Sequence, residues 1–304
     1  LQTITGFLAL EESGSVQING NTNLATISGF TALTSVRGTR GWFYIEENPV
    51  LTDFSGLSNV ASANRIIIRD NDALTDLSSM AGLLEANEFF DIIDNDLLTD
   101  LSGLSSLTTV NGTFELRNNA SLTTIPTLPN FNFAGFVACY DNPLLTDLSG
   151  LNNIATINGL RFERNNSLTD IGGMDQITSM GSSFIVAENA ALTSISGLNN
   201  LTIIGGDLTI VDNDALTDVS GLGALNRVNR DLDVQLNENL SNLNGWSNLS
   251  RVDRDLYITG NANLTSLSGL EGLSSTGGWF WLESNPALAD LNSLSCLSSV
   301  GDYL

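Results

Sequence analysis

The most regular feature of the chain is a leucine that returns every 23 or 24 residues, with one interval of 27. An apolar residue follows it after three positions and another after six, and glycine occupies the fifth position in ten of thirteen repeats. This spacing is too short and too often interrupted by glycine to predict a helix. Each repeat ends in an alternating stretch such as "DLTIVDN", where Leu208 and Ile210 face opposite to Asp207 and Thr209. Such alternation predicts a half-buried β-strand.

An asparagine precedes the leucine by three positions in every repeat in which that position exists. These asparagines are Asn21, Asn48, Asn71, Asn95, Asn119, Asn142, Asn165, Asn189, Asn213, Asn237, Asn261 and Asn285. Stacked asparagines can pass hydrogen bonds between their side-chain amides and can satisfy backbone groups at the corner after the strand. Because buried polar groups must be paired, we predict a structural asparagine ladder.

Each repeat is therefore predicted to be one turn of a β-solenoid, stacked about 4.8 Å from the next turn as parallel strands are. The predicted fold is all-β, a parallel β-helix of about thirteen turns with 23–24 residues per turn. No break interrupts the repeats, so residues 1–304 are predicted to form one continuous domain. Since the pattern already runs at Leu1 and still runs at Leu304, we expect a segment of a longer chain or one unit of an assembly.

The sequence "NPLLTDLSGLNNIATINGLRF" at 142–162 resembles the receptor L-domain family, whose members are leucine-rich-repeat-like right-handed β-helices. The resemblance covers the whole chain and implies a right-handed helix and an extracellular or cell-surface location. The chain departs from the family in its larger number of turns and in lacking disulfide-closed ends. Since a fold does not determine a function, the resemblance leaves the ligand open.

Composition excludes several functions. The chain has 34 acidic residues and 11 basic ones, all arginine, with no histidine and a net charge of −23. Such acidity repels nucleic acids and anionic membranes, and no 18-residue apolar run is present, so we expect no nucleic-acid partner and no membrane insertion in this segment. Without histidine the common catalytic triads and zinc sites are absent. We therefore expect neither enzymatic activity nor a cofactor.

The two cysteines are not expected to pair. Cys139 falls on an inward strand position, which predicts a small core residue. Cys296 lies in a loop more than six turns later. At the spacing of parallel strands the two would be roughly 30 Å apart, too far for a disulfide bond.

An aspartate two positions after the leucine raises the question of calcium. It occurs at Asp53, Asp76, Asp100, Asp147, Asp170, Asp218 and Asp290, and the other repeats have residues such as Thr26, Thr124, Ser194, Asn242 and Ser266 there. Ca²⁺ would relieve repulsion between stacked carboxylates. Threonine, serine and asparagine are poorer cation ligands but can make the same hydrogen bond to the turn backbone, so we favour a turn role and predict no metal. A neighbouring threonine file, which includes Thr52, Thr75 and Thr99, resembles ice-binding surfaces, although the adjacent acids disfavour that function.

The outward positions of the alternating strand vary most between repeats, and they carry the candidate binding face. These candidates are Trp42, Tyr44, Arg65, Ile67, Phe89, Phe136, Arg161, Tyr257, Trp279 and Trp281. Exposed aromatic residues commonly anchor interfaces, although aromatics also simply favour strands. The leading hypothesis is a scaffold for protein or glycan recognition or adhesion. The alternative is a structural subunit of a surface filament that binds further copies of itself end to end, and ice or calcium binding is the third.

Two surface features complete the expectations. Arg227, Arg230, Arg251 and Arg254 repeat at one-turn spacing beside Asp231 and Asp255, which predicts ion pairs between turns. Glycosylation sequons at turn corners make Asn111, Asn200 and Asn248 candidate glycosylation sites. The sequons at Asn119 and Asn165 belong to the ladder, so we expect those two asparagines to be buried.

Overall fold

The computed structural model describes residues 1–39 and 41–304. These residues form two compact units, Leu1–Ile154 and Ala155–Leu304. Both units are all-β parallel solenoids, and the chain has about 12 turns with almost no helix, which confirms the predicted fold class. The last repeat, from Leu288, contributes only Asn292–Leu294 and Ser299–Val300 to regular structure, without an alternating strand. The single continuous domain stays a prediction.

In the first unit the strands are β1 (Thr3–Ile4), β2 (Glu12–Ser13), β3 (Val16–Asn19), β4 (Thr26–Ile27), β5 (Ser35–Val36), β6 (Trp42–Glu46), β7 (Ser62–Arg69), β8 (Glu85–Ile93), β9 (Thr109–Arg117) and β10 (Phe133–Tyr140). In the second unit they are β11 (Thr156–Glu163), β12 (Ser179–Met180), β13 (Phe184–Ala187), β14 (Ile203–Ile204), β15 (Leu208–Val211), β16 (Arg227–Val228), β17 (Leu232–Gln235), β18 (Arg251–Val252), β19 (Leu256–Thr259), β20 (Ser275–Thr276), β21 (Phe280–Glu283) and β22 (Ser299–Val300). Short 3-10 helices cover Ser55–Leu57, Ser78–Met80, Ser102–Leu104, Ser149–Leu151, Ser220–Leu222 and Asn292–Leu294. None of the helices in the described part of the chain has the length and apolarity needed to cross a membrane.

The alternating strands pair in parallel within each unit, and we call the resulting sheet the main sheet of that unit. In the first unit it runs β3–β6–β7–β8–β9–β10. In the second unit it runs β11–β13–β15–β17–β19–β21. Equivalent repeat positions stand opposite one another, as Leu208, Leu232 and Leu256 do. This register turns each repeat position into a column of side chains.

Apolar columns fill the interior of each unit. Leu216 and the residues three and six positions later, Val219 and Leu222, are all buried, as are Leu208 and Ile210 of the alternating strand. Trp246 occupies the sixth position of its repeat and is also buried, and its indole N–H donates to the carbonyl of Val219 at 3.1 Å. Cys139 is buried as predicted, and burial raises the pKa of its thiol. Cys296 is exposed.

The repeat asparagines lie at the corner that follows each main-sheet strand. The side-chain amide of Asn213 donates to the carbonyls of Val186 and Val211, both at 3.0 Å. Its side-chain oxygen accepts the backbone N–H of Asn189 at 3.1 Å and the Asn189 amide at 3.2 Å. The contacts to backbone groups are the shorter ones. The asparagine thus closes the corner of its own turn and also binds the preceding turn.

The residue before each of these asparagines has a left-handed backbone, with φ between 52° and 69°. The residues concerned are Gly20, Glu47, Asp70, Asp94, Asn118, Asp141, Arg164, Glu188, Asp212, Leu236, Gly260 and Ser284. A side chain at such a φ costs roughly 1–2 kcal/mol. The sequence analysis missed this corner, although Gly, Asn and Asp, the residues that tolerate this φ best, occupy seven of the twelve positions. At the other five positions the same backbone conformation is kept with Glu, Arg, Leu or Ser.

Candidate recognition faces

The outer face of the first main sheet brings five of the predicted residues together. Trp42, Arg65 and Phe89 stand opposite one another on β6, β7 and β8. The guanidinium of Arg65 lies over the ring of Phe89, 5.5 Å from its centroid. Trp42 also stacks against Tyr44 of the same strand, with centroids 5.3 Å apart and ring planes 7° from parallel. Ile67 stands opposite Tyr44. We call these five residues the Trp42 cluster.

Phe136 does not belong to this cluster. It lies on β10 opposite Thr113 of β9, so a strand without an aromatic residue at this position separates it from Phe89.

Burial raises the pKa of Tyr44 within the cluster, as expected for a phenol that is partly covered by its neighbours.

The Trp42 cluster is bordered by a carboxyl group, which the sequence did not single out as a titrating group. Asp91 stands on β8 between Ile67 of β7 and Glu115 of β9. Burial, with the charge of Glu115 adding to it, raises its pKa to about 7, although Arg117 opposes the shift. Glu115 in turn accepts the hydroxyl of Tyr140 at 2.7 Å. The signal in the sequence was an acid at an outward position between Phe89 and Ile93, where burial disfavours the charged form of the carboxyl group.

The outer face of the second main sheet brings three more predicted residues together. Tyr257 of β19 stands opposite Trp281 of β21. Trp279 stacks on Trp281, with centroids 5.7 Å apart and planes 22° apart, and meets Tyr303 edge-on. Trp279 and Trp281 are 37% and 43% exposed. We call Tyr257, Trp279 and Trp281 the Trp281 cluster.

Arg161, the remaining predicted residue, is not part of the Trp281 cluster. It lies on β11, with β13, β15 and β17 between it and β19 in the sheet. Its guanidinium pairs with Glu163 of the same strand at 2.7 Å.

A second ladder, made of aspartates, runs along the edge of the second main sheet and was not predicted. The side-chain oxygen of Asp207 accepts the backbone N–H of Asp231 at 3.2 Å, and that of Asp231 accepts the N–H of Asp255 at 3.1 Å. Asp255 accepts the N–H of Trp279 at 2.8 Å. Each carboxylate therefore bridges to the next turn, much as the asparagines do.

Ion pairs between turns are present, as predicted, but several of their acidic partners differ from those expected. Arg230 pairs with Asp207 at 3.5 Å and Arg254 with Asp231 at 3.9 Å. Arg227 and Arg251 both pair with Asp253, which was not expected as a shared acceptor. Asp255 was expected beside an arginine, but no arginine in the described chain lies within salt-bridge distance of it.

Six of the seven recurrent aspartates make the predicted turn bond, whereas Asp170 accepts the hydroxyl of Ser196 at 2.8 Å. Asp100 accepts the backbone N–H of Ser102 at 2.7 Å, and serine at the equivalent position, Ser266, accepts the N–H of Ser268 at 3.0 Å. Hydrogen bonds from Ser78 hold the pKa of Asp76 below its ordinary value. Within residues 1–39 and 41–304, no three His, Cys, Asp or Glu side chains are grouped so that they could hold a metal ion.

The threonine file uses its hydroxyl groups within the solenoid. The hydroxyl of Thr99 donates to the carbonyl of Thr75 at 3.2 Å, and that of Thr193 donates to Thr169 at 3.0 Å. These hydroxyl donors are therefore bonded to the backbone of the preceding turn. Ice binding stays a prediction.

All three candidate glycosylation sites are exposed. The side-chain amides of Asn200 and Asn248 donate to the carbonyls of Asp175 and Gly223, at 2.9 and 2.7 Å. Asn111 lies on β9. The ladder residues Asn119 and Asn165 are buried, as expected for those two sequons.

Comparison with known proteins supports the architecture. No protein-family model matches the chain, and no curated protein matches it significantly. Among solved structures the chain is similar to an internalin (inlF) from Listeria monocytogenes, a leucine-rich-repeat protein, with a TM-score of 0.52 and 18% identity over 95% of this chain and 86% of that chain. At this identity the likeness concerns the fold alone. It agrees with a leucine-rich-repeat-like solenoid, and the narrower resemblance to receptor L domains stays a prediction.

Proposed function

We propose that this chain is a non-catalytic, extracellular scaffold that recognises proteins through the outer faces of its main sheets. The Trp42 cluster and the Trp281 cluster are its anchor regions. The observation that carries the proposal is the grouping of half-exposed aromatic residues on faces where the repeat itself imposes no residue. Repetition elsewhere in each turn follows from packing and turn geometry, whereas these positions are open to selection for a ligand.

The geometry of the two clusters suits protein anchors. Interface hot spots are enriched in tryptophan, tyrosine and arginine that are held rigidly before binding. Stacking of Trp42 on Tyr44 and of Trp279 on Trp281 restricts the rotation of both pairs, so less side-chain entropy is lost when a partner binds. Parallel strands one turn apart also present an extended surface, which solenoid proteins commonly use for binding.

We favour a protein ligand over a glycan because stacking leaves only one face of each ring for flat contact and so reduces the open aromatic area that a sugar requires. Sugars bind flat against an open aromatic face. In both stacks the rings are nearly parallel, at 7° and 22°, so one face of each ring is covered by its neighbour. Trp279 and Trp281 remain partly exposed, and such amphipathic rings suit the mixed apolar and polar contacts of a protein interface.

The test is a binding screen with matched variants of the full chain. Wild type, Trp42→Ala and Trp281→Ala are compared on purified extracellular proteins and on a glycan array. A protein partner should lose at least about tenfold in affinity with one of these variants, as is typical of anchor residues. Val50→Ala is the control, because Val50 is an exposed apolar residue outside the main sheet, and far-UV circular dichroism verifies the fold.

Two outcomes would contradict the proposal. One is binding that both tryptophan variants leave unchanged. The other is binding to glycans alone, which would favour the glycan alternative. The filament alternative stays a prediction, and sedimentation velocity at increasing concentration distinguishes it, since end-to-end assembly requires polymers that grow with concentration.

A further inference from the structure

In the second unit, the arginines that pair with the aspartate ladder end one turn before the ladder does. Arg230 reaches back to Asp207, and Arg254 reaches back to Asp231. Each arginine follows its aspartate by 23 positions, and the residue 23 positions after Asp255 is Gly278. Asp255 is therefore the member of this series to which the repeat supplies no cation.

The carboxylate of Asp255 keeps free capacity for hydrogen bonds. One oxygen accepts the backbone N–H of Trp279 at 2.8 Å, and the other accepts the hydroxyl of Tyr257 at 3.1 Å. A carboxylate offers about four lone-pair sites, so two remain. A Cβ added at Gly278 would lie 2.0 Å from the Asp255 oxygen, which shows that the carboxylate rests directly above this glycine. Both partners of Asp255 are neutral, so its charge is not compensated.

The groups around Asp255 complete a site for a planar cation. Asp233 of β17 and Trp281 of β21 stand on either side of Tyr257, each directly opposite it. Gln235 donates to Asp233, and the site thus has two carboxylates beside two aromatic rings. A guanidinium can stack on an aromatic ring while it makes paired hydrogen bonds to a carboxylate. Elsewhere in this chain the guanidinium of Arg65 already lies over the ring of Phe89.

We propose that Asp255, Asp233, Tyr257 and Trp281 bind an arginine side chain of a protein partner, in the place that Arg230 and Arg254 occupy at the preceding turns. The proposal rests on the proposed function, because it names the chemistry of the partner at the Trp281 cluster. Arginine is preferred over lysine, since the flat guanidinium matches both the ring faces and the carboxylate fork. The net charge of −23 also draws a basic segment towards the chain.

The experiment titrates the full chain with an acetylated and amidated tetra-arginine peptide, followed by tryptophan fluorescence and calorimetry at physiological salt. Asp255→Asn should weaken binding by at least about tenfold, the loss expected for a charge-assisted hydrogen bond. Trp281→Ala should also weaken it, because the guanidinium loses a ring on which it stacks. Asp212→Asn removes the same charge from an exposed corner and should change affinity by less than about twofold. Tetra-lysine should bind more weakly than tetra-arginine.

Binding unaffected by Asp255→Asn, or weakened equally by Asp212→Asn, would overturn the site. Equal affinity for tetra-lysine would overturn its assignment to arginine. If Asp255→Asn fails to fold by circular dichroism, Trp281→Ala decides alone. If only this site is wrong, Trp42→Ala should still weaken binding of a protein partner. If the proposed function is wrong, substitutions in neither tryptophan cluster should affect protein binding.

Discussion

Replacement of one ladder asparagine should destabilise the solenoid far more than replacement of its exposed neighbour. In Asn213→Ala the backbone N–H of Asn189 loses its acceptor, which lies at 3.1 Å in the native structure. The carbonyls of Val186 and Val211 each lose a side-chain donor at 3.0 Å. Asn213 has no exposed surface, so water cannot replace these partners without a rearrangement of the corner.

The magnitude follows from those three groups. A buried donor left without a partner costs about 1–3 kcal/mol, and each lost neutral hydrogen bond costs about 0.5–1.5 kcal/mol. Asn213→Ala should therefore reduce the free energy of unfolding by about 2–6 kcal/mol. Asp214→Ala changes an exposed residue at the same corner, and its effect should stay within about 0.5 kcal/mol.

Urea unfolding of both variants, followed by far-UV circular dichroism, measures the difference. Because turns of a solenoid interact only with their neighbours, unfolding can proceed in stages. Hydrogen exchange across 182–192 and 206–216 therefore tests whether the loss is greatest next to the altered corner. A variant Asn213→Ala as stable as Asp214→Ala would refute the reasoning that the asparagine satisfies otherwise unpaired backbone groups.

Three further predictions concern single positions. Leu236→Gly should raise the free energy of unfolding by about 0.5–1 kcal/mol in urea titrations, because Leu236 has φ 55°. Asp91 has a pKa of about 7 in the folded chain and near 4 when unfolded, so the unfolded carboxyl ionises first as the pH rises. The free energy of unfolding should therefore fall between about pH 4 and pH 7 and level off above pH 7. Urea unfolding across this pH range should show no such fall in Asp91→Asn. Asp100→Ala should lower stability by about 1 kcal/mol in thermal melts, since the N–H of Ser102 loses its acceptor.

Each of these changes has a matched control. Leu236→Ala keeps a Cβ at the same φ and should not stabilise, so equal stabilisation by alanine and glycine would exclude relief of backbone strain. Asp72→Asn removes an exposed carboxylate from the repeat before that of Asp91, and it should leave the pH dependence of the unfolding free energy unchanged. Asp100→Asn keeps an acceptor for the turn, as Asn242 does for the N–H of Asn244, and should lie within about 0.5 kcal/mol of wild type. A melting point lowered by EDTA would instead indicate that the aspartate column holds calcium.

The repeated interior of this protein could be predicted from its sequence because one environment recurs at every turn. Leu216, Val219 and Leu222 are buried in a column where only an apolar side chain packs. Asn213 lies where backbone donors and acceptors converge, and a short amide satisfies both. The turn role of Asp100 was predictable for a similar reason, since serine and threonine replace the aspartate in other repeats and can make the same bond.

The outer face was only partly predictable, because nothing requires its residues to repeat. The sequence identified Trp42 and Trp281 as outward residues, but not which neighbours they would have. The register between strands of different turns places Trp42 opposite Arg65. Along the aspartate ladder, the described arginines pair with Asp207 and Asp231 and leave Asp255 without one. The sequence by itself thus determined the solenoid, since a periodic core imposes a periodic pattern. Only the tertiary structure decided the candidate sites, because they combine side chains from separate turns whose charge and burial depend on the neighbouring strand.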